Sequence, residues 1–166
     1  MSMGHGALIF LLLSEYFGVE RTYYGFDSFE GFPVPVDKDE HTPITGPDFW
    51  ANPPETVMKV LRDGRIPEPT IQKRVRLVRS WFQDSLNAYN GTDALLHLDC
   101  DLYESYRISL DALFEKVAPC GIIMFDEYHD NRWPGATKAI DEFFSDKPET
   151  IRSHPRCNWK YFVEKL

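Results

Sequence analysis

The sequence predicts an α/β fold built on parallel strands, and three observations predict it. Residues 94–98 (Ala-Leu-Leu-His-Leu) and 121–125 (Gly-Ile-Ile-Met-Phe) are short, bounded, mostly apolar runs without proline, as buried strands are. Between them, residues 104–118 carry Ile108, Leu110, Leu113, Phe114 and Val117 at helix-like spacing, so strand, helix and strand follow as one crossover unit with parallel strands. Each run then stops at a pair of acids, Asp99 and Asp101 after the first and Asp126 and Glu127 after the second. Ligands bind at the carboxyl ends of parallel strands. Neighbouring strands lie about 5 Å apart, so Asp99, Asp126 and Glu127 are expected to converge. Gathered carboxylates repel unless a cation joins them, and a hard divalent ion such as Mg²⁺ takes oxygen ligands of this kind.

Composition sets the frame for these elements. With 166 residues, 43% of them apolar and 14% aromatic, the chain is long and apolar enough to fold as a single domain, 1–166, with a real core. A net charge of −8 argues against a nucleic-acid partner, which calls for a basic face. Cys100, Cys120 and Cys157 are odd in number and lack metal-site spacing, which points to free thiols in a reducing compartment, the cytoplasm. The apolar run 7–13 is far short of a membrane span and is not flanked as a signal peptide is.

In chain order, Gly4 and Gly6 precede a helix expected over 7–17, where glycines allow a ligand to approach the helix N-terminus. Residues 22–26 form a strand ending in Asp27, and an acid about 20 residues beyond such glycines suits a ribose diol. Residues 33–54 contain six prolines and no periodicity, and read as a lid or substrate loop. A short helix over 55–62 stops at Gly64, and a strand over 75–78 delivers Ser80 and Trp81, whose indole can cover a flat base. After the central unit come a helix over 136–144 and strands over 150–153 and 159–163. His97 reads as a core histidine, and His129, next to the second acid pair, as a reserve base.

Four segments together resemble one family. They are residues 26–33 (Phe-Asp-Ser-Phe-Glu-Gly-Phe-Pro), 80–86 (Ser-Trp-Phe-Gln-Asp-Ser-Leu), 98–105 (Leu-Asp-Cys-Asp-Leu-Tyr-Glu-Ser) and 119–128 (Pro-Cys-Gly-Ile-Ile-Met-Phe-Asp-Glu-Tyr). In this order they resemble the macrocin O-methyltransferase (TylF-type) family. The resemblance implies a Rossmann-like class I methyltransferase fold, a mostly parallel central sheet with helices on both faces. It also implies S-adenosylmethionine and a divalent metal, usually Mg²⁺, and methylation of a hydroxyl on a sugar-containing small molecule. Carried over by motif, Asp99, Asp126 and Glu127 match the metal ligands, and Asp101 the general base. Asp27, with Ser28 beside it, matches the ribose-binding acid, and Ser80 and Trp81 lie where the third strand meets the adenine. Gly4, Gly6 and Asp99 complete the expected cofactor set.

The chain departs from that pattern at three places. Asp126-Glu127-Tyr128 stands for the family's Asp-Asp-Tyr, and Ser80 for a glycine. The chain also begins inside the first cofactor loop, so the first strand and its Glu-x-Gly turn are expected to be missing and cofactor binding to be weakened. An open sheet with exposed apolar surface points to a homo-oligomer. Two rival readings stand beside the methyltransferase: a metal-dependent glycosyltransferase using Asp99-Cys100-Asp101 as its Asp-x-Asp motif, and a non-catalytic binding or assembly protein on the same fold.

Overall fold

A computed structural model of the protein describes residues 4–44 and 51–166. The chain forms two compact units, Met1–Pro33 with Thr45–Ser85, and Val34–Ile44 with Leu86–Leu166. The expected lid loop, 33–54, is divided between them; its residues 45–50, with Pro47, Phe49 and Trp50, lie outside the described part.

The first unit holds helix α1 (His5–Tyr16), strand β1 (Tyr23–Asp27), helices α2 (Pro54–Asp63) and α3 (Glu68–Arg74), strand β2 (Val75–Arg79) and the single turn α4 (Phe82–Ser85). Strands β1 and β2 pair in parallel, from Tyr23 opposite Val75 to Asp27 opposite Arg79. No strand precedes β1 among the described residues. Val57 and Leu61, four apart on α2, bury one face of that helix against a core that includes Ala7 and Leu11 of α1 and Ile71 of α3. Gly64 ends α2, its N–H donating to the carbonyl of Val60 at 2.9 Å. Helix α3 lies in a stretch to which the sequence reading assigned no element, with Pro67-Glu68-Pro69 at its start. Both prolines fall at the cap and in the first turn, where a missing N–H costs no helical hydrogen bond.

The second unit holds β3 (Asp93–Leu98), α5 (Tyr103–Leu113), β4 (Val117–Phe125), α6 (Pro134–Phe144), β5 (Arg152–His154) and β6 (Cys157–Glu164). Its sheet has the order β3-β4-β6-β5. Strands β3 and β4 are parallel, as the crossover argument requires, whereas β6 runs antiparallel to β4 and β5 antiparallel to β6. The helix expected over 104–118 is too long by one turn. Helix α5 ends at Leu113, a 3₁₀ turn spans Phe114–Lys116, and Val117 already pairs with Asp93 at the start of β4. The register then shifts across a segment containing Pro119, which has no N–H to donate, and Cys120, whose φ is 63°. An aromatic core closes this unit: the ring of Phe114 meets those of Phe143 and Phe144 edge-on at 5.2 and 5.7 Å, and Phe125 meets Phe144 at 5.9 Å.

Candidate active site

The acids that end β3 and β4 are brought together by parallel pairing. Leu98 lies opposite Phe125, and the N–H of Asp126 continues the ladder onto the carbonyl of Leu98 at 3.0 Å. Side chains alternate across a strand, so consecutive residues at the strand end face opposite ways. Phe125 is buried, Asp126 faces outward, and Glu127 turns inward again with only 4% of its surface exposed.

Glu127 is the centre of the site. Its Oε2 lies 2.6 Å from the hydroxyl of Tyr106 and accepts the backbone N–H groups of Cys100 and Asp101, both at 3.3 Å. Carboxylate oxygens of Asp99, Asp101 and Glu127 lie within 4.8 Å of one another. Burial, then the charges of Asp101 and Asp99, push the Glu127 carboxyl up to about 9. Burial and Asp99 push Asp101 up to about 7. Asp101 also holds a left-handed backbone, φ 60°, in the turn between β3 and α5. This is a donor set of hard oxygens under mutual repulsion, which suits a divalent cation such as Mg²⁺.

The gathered trio differs from the expected one by a single member: Asp101 stands in it, and Asp126 does not. The reason lies in β6, which the sequence reading placed at the chain's end without a partner. Its antiparallel register sets Tyr161 opposite Phe125, the last pair of the ladder, and Lys160 and Asp126 are the next residues beyond it, one on each strand. The Lys160 ammonium forms an ion pair with Asp126, and Nε2 of His97 stands 3.5 Å from the same carboxylate. His97, read as a core histidine, is held neutral more readily than usual, since burial lowers its pKa. His129 is exposed, with φ 63°. It packs its ring on Tyr128 at 4.2 Å and Tyr161 at 5.3 Å, outside the carboxylate trio.

The remaining cofactor candidates lie in the first unit. Asp27 ends β1, and its Oδ1 accepts the N–H of Phe29 at 2.7 Å. The buried hydroxyl of Ser28 donates to the carbonyl of Gly31 at 3.1 Å and accepts the N–H of Glu30 at 3.1 Å, so both residues fix one tight turn. Ser80 donates its N–H to the carbonyl of Asp27 at 3.0 Å, which joins the ends of β1 and β2. Trp81 follows, partly buried. Gly4 has a demand of its own: φ is 85°, and a Cβ there would run into the backbone of Val57. Gly6 sits inside α1 with open space around it.

Besides Lys160, sequence reasoning missed three contributors. Tyr106, fully buried, shares a helical face with Leu110 and Leu113; a tyrosine on an apolar stripe was the available signal. Asp39, also buried, accepts the N–H of Tyr103 at 2.8 Å and that of Val36 at 3.1 Å, and so caps a helix whose own cap residue, Leu102, has no side chain for the task. Lys38 beside it donates to the Tyr103 hydroxyl at 2.6 Å and to Glu142 at 3.2 Å. Part of the proline-rich stretch is thereby pinned to the start of α5, directly after the acid turn.

Comparison with known proteins places this geometry. The model of the macrocin-O-methyltransferase (TylF) family matches residues 4–151. The chain belongs to that family. Over 130 residues it is 30% identical to the 8-demethyl-8-(2,3-dimethoxy-alpha-L-rhamnosyl)-tetracenomycin-C 4'-O-methyltransferase of Streptomyces olivaceus, a match covering 74% of this chain and 49% of that protein. It is 36% identical over 74 residues to the demethyldecarbamoylnovobiocin O-methyltransferase of Streptomyces niveus, covering 44% of this chain and 28% of that protein. The chain thus spans half or less of the curated relatives it matches. Among solved structures it is similar to the calicheamicin methyltransferase CalS11, with a TM-score of 0.81, 24% identity and coverage of 98% of this chain and 68% of that one. The O-methyltransferase NovP aligns with a TM-score of 0.76 and 25% identity, over 99% of this chain and 69% of that one. The TylF-family chain therefore has the Rossmann-like class I methyltransferase fold, α/β with a mixed sheet content. No described helix is long and apolar enough to cross a membrane.

Proposed function

We propose that this protein transfers a methyl group from S-adenosylmethionine to a hydroxyl of a sugar-bearing small molecule, with a divalent cation at the acid cluster. The observation that carries the reading is the trio Asp99, Asp101 and Glu127 at the ends of β3 and β4 in a chain of this family. When bound, S-adenosylmethionine supplies the methyl group, and the cation supplies positive charge that eases deprotonation of a hydroxyl. Asp99 and Glu127 belong both to the motif and to the gathered trio, and are assigned as ligands, with Asp126 as the motif's third. Asp101 receives the acceptor's proton; its burial raises its carboxyl above the ordinary carboxylate range, toward that of a base at neutral pH. His129, exposed beside the acids, is the reserve base.

Asp27 and Ser28 are assigned to the cofactor's ribose, Ser80 and Trp81 to its adenine, and Gly4 and Gly6 to the approach of its amino-acid end. The rhamnosyl group in the name of the tetracenomycin relative supports a deoxysugar acceptor. The free thiols of Cys100, Cys120 and Cys157 support a cytoplasmic setting. Half-exposed Ile9, Leu12 and Leu13 with exposed Tyr16 and Phe17 on and after α1 support self-association.

Calorimetry with S-adenosylhomocysteine and with Mn²⁺ tests the two ligands separately, and release of S-adenosylhomocysteine against a panel of rhamnosylated acceptors tests the reaction. Asp101→Asn is expected to lower turnover about 10²- to 10⁴-fold while leaving S-adenosylhomocysteine affinity in place. Undiminished turnover would remove Asp101 from its role.

A further inference from the structure

The register of β4 and β6 puts a lysine at the rim of the acid cluster. Lys160 and Asp126, each one residue beyond the Phe125–Tyr161 pair, form an ion pair with about a third of each side chain exposed. Asp99 lies near enough to act on the same ammonium. The nearest arginine on the adjoining loop, Arg132, is engaged by Asp130 at 2.6 Å. A positive charge tethered to the protein therefore already neutralises the one motif carboxylate that stands outside the trio.

We propose that Lys160 is a resident cation which competes with the divalent ion for Asp126, so that the ion gains its full ligand set only when the ammonium lets go. The inference rests on the proposed metal-assisted reading. An ammonium and a divalent ion sharing one carboxylate repel each other at close range, and only one of them holds Asp126 at a time. The Lys160 side chain is long and jointed, and its partly exposed ammonium has water to retreat to. The outward face of Asp126 is thus the adjustable part of the site, and the inward face of Glu127, held by Tyr106 and two N–H groups, the fixed part.

Mn²⁺ binding, followed by calorimetry and by loss of the free-ion EPR signal, tests this without reference to turnover. Lys160→Met is expected to tighten Mn²⁺ binding about fivefold, Lys160→Arg to stay within about twofold of the parent, and Asp126→Asn to weaken binding. In the Asp126→Asn background, Lys160→Met should no longer change the affinity. Thermal melting of each variant confirms that it is folded. Parent and Lys160→Met binding Mn²⁺ equally well would overturn the competition while leaving the metal reading intact. A Lys160→Met gain that persists without the Asp126 carboxylate would overturn it too. Absence of Mn²⁺ binding by both proteins would overturn the metal reading and this inference together.

Discussion

Two strand ends in this molecule carry acids, and they satisfy them in opposite ways. At the end of β1, the side chains of Asp27 and Ser28 make hydrogen bonds within a few residues, with Phe29, Glu30 and Gly31. At the ends of β3 and β4, the partners come from far along the chain: Tyr106 is 21 residues from Glu127, and Lys160 is 34 residues from Asp126. The first set of bonds is short-range, within one tight turn. The second exists only once helix α5 has packed on the sheet and β6 has paired with β4. A tight turn is suited to hold a neutral diol, and repelling carboxylates gathered around one buried member, Glu127, to hold a cation.

Breaking each end separately should have separate consequences. The largest effect is expected from exchanging the two lesions. Asp27→Asn should weaken S-adenosylhomocysteine about tenfold or more and spare Mn²⁺, whereas Glu127→Gln should weaken Mn²⁺ by a similar factor and spare S-adenosylhomocysteine, both read by calorimetry. If either substitution weakens both ligands equally, the division of labour fails.

A smaller effect is expected at Tyr106. Tyr106→Phe keeps the ring in the core and removes only the hydroxyl shared between Glu127 and the carbonyl of Leu98. It should cost about 1–3 kcal/mol of stability in urea unfolding, because a buried acceptor loses its partner. A cost near zero would mean that water reaches Glu127.

A third measurement sharpens the electrostatic half of the contrast. Asp101 and Glu127 have folded-state pKa values raised to about 7 and about 9, so between the ordinary carboxylate range and those values the folded protein binds more protons than the unfolded chain. Stability in the presence of a chelator should therefore fall as pH rises from about 5 to about 9. Mg²⁺ should restore the melting temperature most at the alkaline end, and Glu127→Gln should flatten the chelator profile. A profile that rises with pH would contradict the burial of these acids.

The parallel pairing of β3 with β4, the position of each acid pair and the Asp27 turn were legible in the sequence because each rests on spacing within a short segment. Runs that alternate or repeat report burial directly, and a turn acid reports its own backbone. Helix α3 escaped because its prolines sit in the one part of a helix that tolerates them. The end of α5 was overrun because Val117 continues the apolar pattern of the helix while belonging to the next strand. Lys160 escaped because a cross-strand partner is set by antiparallel register, and register is a property of the assembled sheet.

By itself the sequence determined where most of the strands and helices lie, that acids crown the parallel strands, and which family the motifs resemble. The tertiary structure decided which of those acids meet. Facing alternates residue by residue at the end of β4, so Glu127 turned inward to Tyr106 and Asp101, and Asp126 turned outward to a lysine from the opposite end of the unit. That choice depends on packing and pairing over long stretches of chain, where no local pattern of residues carries the information.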